Sequence, residues 1–190
     1  IIGKLKICNR CFEKLVKAAK EYSDYDLFSP VNYELSNKNK IQQFGFKIDF
    51  FGFPCNLIHT KTLEEVKDDE FMCLPGGSLF IRKKVIDKIG LYDDDYFAFV
   101  DDTDLNWRIR IAGSKLKLVK DAKFYHQAYS GLSLKEEKFK YTTLRKRYLT
   151  ERHTLNAILK NFQLYTLIFV VPFYFIANIL EMVFFLVHGK

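Results

Sequence analysis

Cysteine is scarce in this chain, and what is present does not assemble into a site. Cys8 and Cys11 form one Cys-x-x-Cys, but Cys55 and Cys73 do not form a second. A structural zinc needs about four ligands at workable spacing, so no zinc module is expected. The stretch around Cys8 and Cys11 also lacks the strand–turn–helix setting of a thioredoxin-like pair. Four reduced thiols in a cytosol-facing domain are expected instead. Phosphate-loop chemistry is absent, because no Gly-Lys-Ser/Thr follows Gly76-Gly77. The acid-dense run from Asp93 to Asp104 is no calcium loop: it lacks the glycine at the sixth place and the closing glutamate. There is no zinc-finger pattern and no RNA-binding aromatic motif, so nucleic acid is not an expected partner. No internal repeat, low-complexity tract or secretory apolar region is visible; Ile1–Ile2 is followed at once by charge.

What the chain does have is size, aromatic content and positive charge. Its 190 residues suit one domain with a real core. Aromatic residues make up 16%, including 19 Phe, and part of this apolar excess lies at the C-terminus. The net charge is +7, with the densest basic zone at Lys135–Lys160, directly before an apolar tail. That juxtaposition fits an anionic membrane surface.

Residues 4–22 read as an amphipathic helix, with Leu5, Cys8, Phe12, Leu15, Val16 and Ala19 on one face. Residues 26–32 read as a short strand interrupted by Pro30, and 37–40 as a polar turn. The alternation Phe46, Ile48, Phe50 makes 41–51 a strand or hairpin arm. Residues 51–74 read as a mobile surface loop of the kind that covers a site. A strand at 78–81 and a helix at 83–89 closed by Gly90 follow. Tyr96–Val100 leads to a helix over 103–112, capped by Asp101 or Asp102 and ended by Gly113. Residues 115–119 and 122–126 read as two strands. Ser133 and Glu136 form a capping box that opens a long helix to about Asn161. The 24 residues Leu164–Val187 are long enough to cross a bilayer, interrupted by Pro172, Asn178 and Glu181; they read as a membrane-associated helix, spanning or in-plane, with a helix buried on a partner or on the domain as the alternative.

The candidate chemistry lies at Asp101, Asp102 and Asp104. Carboxylates at a helix N-terminus are held ionised by free N–H groups and the helix dipole. Such a group can take a proton from a hydroxyl or hold a cation. Asp104 and Arg108 stand four apart and can pair, which makes them a structural clamp and leaves Asp101 and Asp102 for a cleft. The plain alternative is an acidic helix cap with no catalytic duty.

The ordered set Gly77-Ser-Leu-Phe-Ile-Arg, Ile89-Gly90-Leu91-Tyr92-Asp93, Asp101-Asp102-Thr103-Asp104-Leu105, Arg108, Gly113 and His126 resembles the second half of family 2 glycosyltransferases. The rhamnosyl- and galactofuranosyltransferase-like members are the nearest in pattern. Tyr148–Phe162 is similar to that family's following helix, with His153 where Asn is usual. The resemblance implies an α/β fold: an incomplete, Rossmann-like GT-A domain with a mixed sheet and flanking helices, followed by long C-terminal helices. The implied organisation is a partial catalytic domain over 1–132, a basic amphipathic helix over 133–163 and an apolar membrane-associated helix over 164–187. It implies an inverting transfer from a nucleotide-sugar donor to a saccharide or lipid-linked acceptor, in the synthesis of a cell-surface polysaccharide or glycan. Asp102 would be the general base, with Asp101 beside it shaping the site or binding the acceptor. Gly76, Gly77 and Trp107 would complete the acceptor side, although Trp107 also suits a core position. His126 would be a ligand of a Mg²⁺ or Mn²⁺ at the leaving diphosphate; the plain reading is a hydrogen-bonded histidine at a strand end.

The family's Asp-x-Asp motif, with its preceding apolar strand, has no counterpart upstream; Asp24-Tyr25-Asp26 and Asp102-Thr103-Asp104 are out of place for it. The donor-binding half is therefore expected from a longer gene product, a split gene or a partner chain, and the chain alone is expected to be inactive. The basic zone would put the catalytic part on the cytoplasmic side of a membrane. The rival readings are a non-catalytic, membrane-associated carbohydrate-binding subunit or remnant, and a structural membrane adaptor in which the acids only cap a helix.

Overall fold

The computed structural model describes residues 5–8, 10–96, 99–126 and 144–188. In chain order its elements are β1 (Leu5–Ile7), α1 (Cys11–Glu21), β2 (Tyr25–Glu34), β3 (Ile41–Gln43), β4 (Phe46–Ile48), β5 (Pro54–Asn56), β6 (Phe80–Ile81), α2 (Lys83–Ile89), α3 (Asp101–Ile111), β7 (Lys115–His126), α4 (Leu144–Asn161) and α5 (Leu164–Val187). The architecture is α/β, with a mixed sheet and helices packed against it.

β2 is the central strand. It runs parallel to β7 on one side and antiparallel to β6 and β3, one after the other, on its opposite edge. Both faces of β2 are covered, which explains its near-continuous apolar run. On one face Phe28 packs with Cys11, Leu15 and Ala18 of α1. On the other, Leu27, Val31 and Tyr33 join Leu105 and Ile109 of α3 and Leu116 and Leu118 of β7 in the main core. A third cluster, Ile158, Val170 and Tyr174, binds α4 to α5.

Pro30 does not cut β2 short. Pro30 pairs with Val119 and Val31 with Lys123, so β7 bulges across residues 120–122 where Pro30 offers no N–H. The two strands expected at 115–119 and 122–126 are accordingly one strand with a bulge. The helix expected over 4–22 starts only at Cys11, because Leu5–Ile7 pairs antiparallel with Phe124–His126 and covers the outer edge of β7. The arm expected over 41–51 is broken at Gly45, where a Cβ would lie 2.4 Å from the Phe71 ring. Phe46–Ile48 then turns back to pair with Pro54–Asn56.

Residues 51–74 are not a surface flap. Leu57, Val66, Phe71, Cys73 and Leu74 are all buried. The charged run around them is pinned as well: Lys117 of β7 holds Asp68 at 2.6 Å, and Lys61 pairs with Glu70. α2 ends at Gly90 and α5 spans Leu164–Val187, with the bounds expected of both. The Ser133–Glu136 capping box lies outside the described residues. Among the described residues, one helical segment, Leu164–Phe184, is long and apolar enough to cross a membrane, and little of it is buried against the protein.

Candidate functional site

α3 starts earlier than its cap residues suggest. Asp101 and Asp102 lie in its first turn, and Val100 stands at the cap position in the left-handed region at φ 65. Phe99 before it is also left-handed, at φ 67. A β-branched residue rarely adopts this conformation, which costs on the order of 1–3 kcal/mol. The surroundings hold it there: the Phe99 carbonyl accepts a hydrogen bond from His153 Nδ1 of α4 at 3.0 Å, and Asp104 N–H donates to the Val100 carbonyl at 2.8 Å.

Asp102 lies against the turn Gly76–Ser78. A Cβ on Gly76 would sit 2.1 Å from Asp102 Cβ and 2.5 Å from its Oδ2, so no side chain fits there. The Asp102 carboxylate accepts the N–H of Thr103 at 2.8 Å, and the Gly76 N–H also donates to it. Burial nonetheless raises its proton affinity above that of an ordinary aspartate, and the neighbouring charge of Asp101 adds to this. The two N–H bonds oppose the rise without cancelling it. Asp102 is thus an acceptor carboxylate, half-buried on a helix terminus, with more basicity than usual. At Gly77 the nearest atom to an added Cβ is a Phe124 ring carbon at 3.8 Å, an ordinary contact. Protein packing therefore requires glycine at 76 and not at 77.

Two residues at this site were not singled out from sequence. Asn106 is fully buried, and its amide bridges the Gly76 turn and α3. Its Oδ1 accepts the Leu74 N–H at 3.0 Å, and its Nδ2 donates to the Leu74 carbonyl at 3.3 Å and the Asp102 carbonyl at 2.8 Å. The usable signal was a polar side chain four residues after Asp102 on a face otherwise turned inward. Tyr92 is the second. Its ring is half-exposed, and its hydroxyl's proton affinity is raised by burial and then by the charges of Asp102 and Asp101. It is a half-exposed aromatic side chain within electrostatic reach of the acidic pair.

Asp104 and Arg108 are ion-paired, with Nε to Oδ2 at 2.8 Å and the Asp104 side chain 1% exposed. Arg108 also donates to the carbonyls of Ile89 at 2.9 Å and Leu91 at 2.7 Å, tying down the chain after α2. On its other oxygen Asp104 receives Asn161 Nδ2 at 3.0 Å and Lys160 at 3.4 Å. Lys160 pairs in addition with Asp93 and lies over the Tyr96 ring. One buried carboxylate thus joins α2, α3 and α4.

Trp107 does not join the acceptor side. It is 5% exposed and meets Phe162 edge-on at 4.9 Å, because its position on α3 faces the seam with α4. His126 ends β7, where its Nδ1 faces Gln42 Oε1 at 3.1 Å and burial lowers its proton affinity. Among the described residues, no three or more His, Cys, Asp or Glu side chains gather as a metal site. A cavity of about 540 Å³ opens between α1 and β7, away from the acidic pair. Three of its five lysines are engaged: Lys14 by Asp121, Lys117 by Asp68, and Lys120 by the carbonyls of Glu64 and Val66.

A scan of the chain against profiles of known protein families gives no match. A search of curated proteins likewise gives no relative.

Proposed function

We propose that this chain is the acceptor-side part of an inverting, family 2-like glycosyltransferase that uses nucleotide sugars, with Asp102 as the general base. The observation that carries the reading is the state of Asp102: a carboxylate fixed by two backbone N–H groups against a glycine turn, with its basicity raised by burial and by Asp101. A base of raised proton affinity suits the deprotonation of a hydroxyl at neutral pH. In the transfer, the acceptor hydroxyl oxygen forms the new bond to the anomeric carbon of the donor. The bond from that carbon to the diphosphate breaks, the nucleoside diphosphate leaves with the electron pair, and Asp102 receives the hydroxyl proton. Asp101 orients the acceptor, and the bare backbone of Gly76 and Gly77 lets a sugar approach. Tyr92 replaces Trp107 as the aromatic surface for it.

The reading takes the donor-binding residues from outside these 190 residues, in a longer product or a partner chain. The Mg²⁺ or Mn²⁺ implied by the resemblance finds one nitrogen donor here, His126, with Gln42 beside it. Such ions want about six ligands, mostly oxygen. The described residues do not by themselves make that site, and no step above is routed through the ion. α5 supplies membrane attachment, with the α/β domain on the cytoplasmic side, next to the lipid-linked or saccharide acceptor.

The test is transfer from a panel of sugar nucleotides by the full-length gene product and its Asp102→Asn variant. Loss of the base lowers turnover by roughly 10²–10⁴-fold. Equal turnover in both would sink the assignment. The second reading is a non-catalytic carbohydrate-binding subunit. It predicts saccharide binding with no transfer from any donor, unchanged by Asp102→Asn.

A further inference from the structure

α4 and α5 form an antiparallel hairpin whose contacts descend one helix as they climb the other. Ile158 packs with Val170, Glu151 accepts the Tyr174 hydroxyl at 2.7 Å, and Arg147 Nη1 donates to Glu181 at 2.9 Å. Asn178 donates back to the Tyr174 carbonyl one turn earlier in α5. Of the polar residues expected to interrupt the apolar tail, Glu181 is thus held by α4, and Asn178 is satisfied within α5. The rest of α5 faces away: Ile168, Phe169, Ile176, Ile179 and Leu180 are each half or more exposed.

α4 is not free to follow α5 elsewhere. Its other side is seated on the α/β domain through His153 on the Phe99 carbonyl, Asn161 on Asp104, and Phe162 against Trp107. By length α5 could span, at about 36 Å against a hydrocarbon core of about 30 Å. Crossing with the hairpin intact would carry Arg147, Glu151 and Arg152, with the domain behind them, to hydrocarbon depth. Crossing with the hairpin open would strip Glu181 of Arg147 and leave it bare in lipid.

We infer that α5 lies in the plane of a membrane: its outer face is sunk into one leaflet, and α4 and the α/β domain rest on the surface above it. The inference builds on the membrane attachment proposed above and fixes its geometry. The occupant of the apolar face is a lipid surface bearing anionic headgroups. Charge complementarity selects it: the whole chain has a net charge of +7, and the sequence of α4 has five basic residues against one acid, of which Arg147 and Lys160 are already ion-paired within the fold.

The test uses the whole chain with sealed phosphatidylcholine–phosphatidylglycerol vesicles and a membrane-impermeant maleimide. Cys55 is an exposed thiol on the domain, and His188→Cys places a second just beyond α5. The expected result is flotation with the vesicles and labelling of both thiols from outside. Protection of the His188→Cys thiol until detergent is added would mean that α5 spans, overturning the in-plane geometry while leaving attachment intact. Failure to float would overturn both, and a dimer by light scattering in lipid-free buffer would then identify a second copy as the cover. The double variant Ile168→Asp/Ile179→Asp changes only exposed positions, so it should keep its circular dichroism and bind vesicles roughly tenfold or more weakly. Unchanged vesicle binding by that variant would overturn the choice of face.

Discussion

The backbone of Gly76 and the side chain of Asp102 share one space: a single added carbon at Gly76 would lie 2.1 Å from Asp102 Cβ. Gly76→Ala must therefore push the turn or the first turn of α3 aside. The expected cost is about 1–3 kcal/mol, the range for overpacking a filled site. Transfer activity should fall with it, since the base moves. Gly77→Ala meets only an ordinary contact with Phe124 and should melt within the error of the parent. Thermal denaturation of the two variants side by side checks the contrast.

The raised proton affinity of Asp102 has a sign in stability as well as in rate. Its folded form holds a proton more tightly than its unfolded form. This contribution is complete below the ordinary aspartate range and is lost as pH rises through the raised value. The stability difference between the parent and Asp102→Asn should therefore change in that window and level off above it. The acid limb of kcat/KM should fall at a higher pH than an ordinary aspartate would give. Denaturant titrations across that range measure the first, and a pH–rate profile the second.

Asn106 is fully buried and makes three hydrogen bonds, two of them to Leu74. Asn106→Ala strands the Leu74 N–H and loosens the Gly76 turn, at an expected cost of about 1–3 kcal/mol. Hydrogen exchange should locate the change, with faster exchange at Leu74 and little at α1.

Arg108→Ala leaves Asp104 buried with Asn161 and Lys160 and frees the carbonyls of Ile89 and Leu91. Removing one partner of a buried ion pair costs about 3 kcal/mol. Arg108→Lys should rescue little, because an ammonium cannot reach in three directions from one planar fork. Urea midpoints of both variants decide the matter.

The parts of the fold governed by local rules were legible. The i,i+4 spacing of Asp104 and Arg108 gave their pairing, Gly90 gave the end of α2, and composition gave the bounds of α5. The parts set by distant chain were not. Leu5–Ile7 has helical periodicity, yet the open edge of β7 claims it. The charged run in 51–74 looks like loop until its spaced apolar residues find the core. At the site, the three acids pointed to α3, but the closeness of Gly76 depends on a turn that Asn106 holds from across the fold. Arg108 anchors the chain beside Tyr92 at Leu91, a link that no local pattern announces.

The parallel pairing of β2 with β7 sets an order for folding. Tyr25 aligns with Lys115 and Glu34 with His126, so roughly ninety residues separate partners in the centre of the sheet. Such a loop must close before its contacts reward it, which slows folding. As the chain emerges from a ribosome, β2 can collect β3 and β6 on one side long before β7 exists to cover the other. Until then its most apolar edge is open to any other strand. The nascent chain is therefore most exposed to aggregation between completion of β6 and completion of β7.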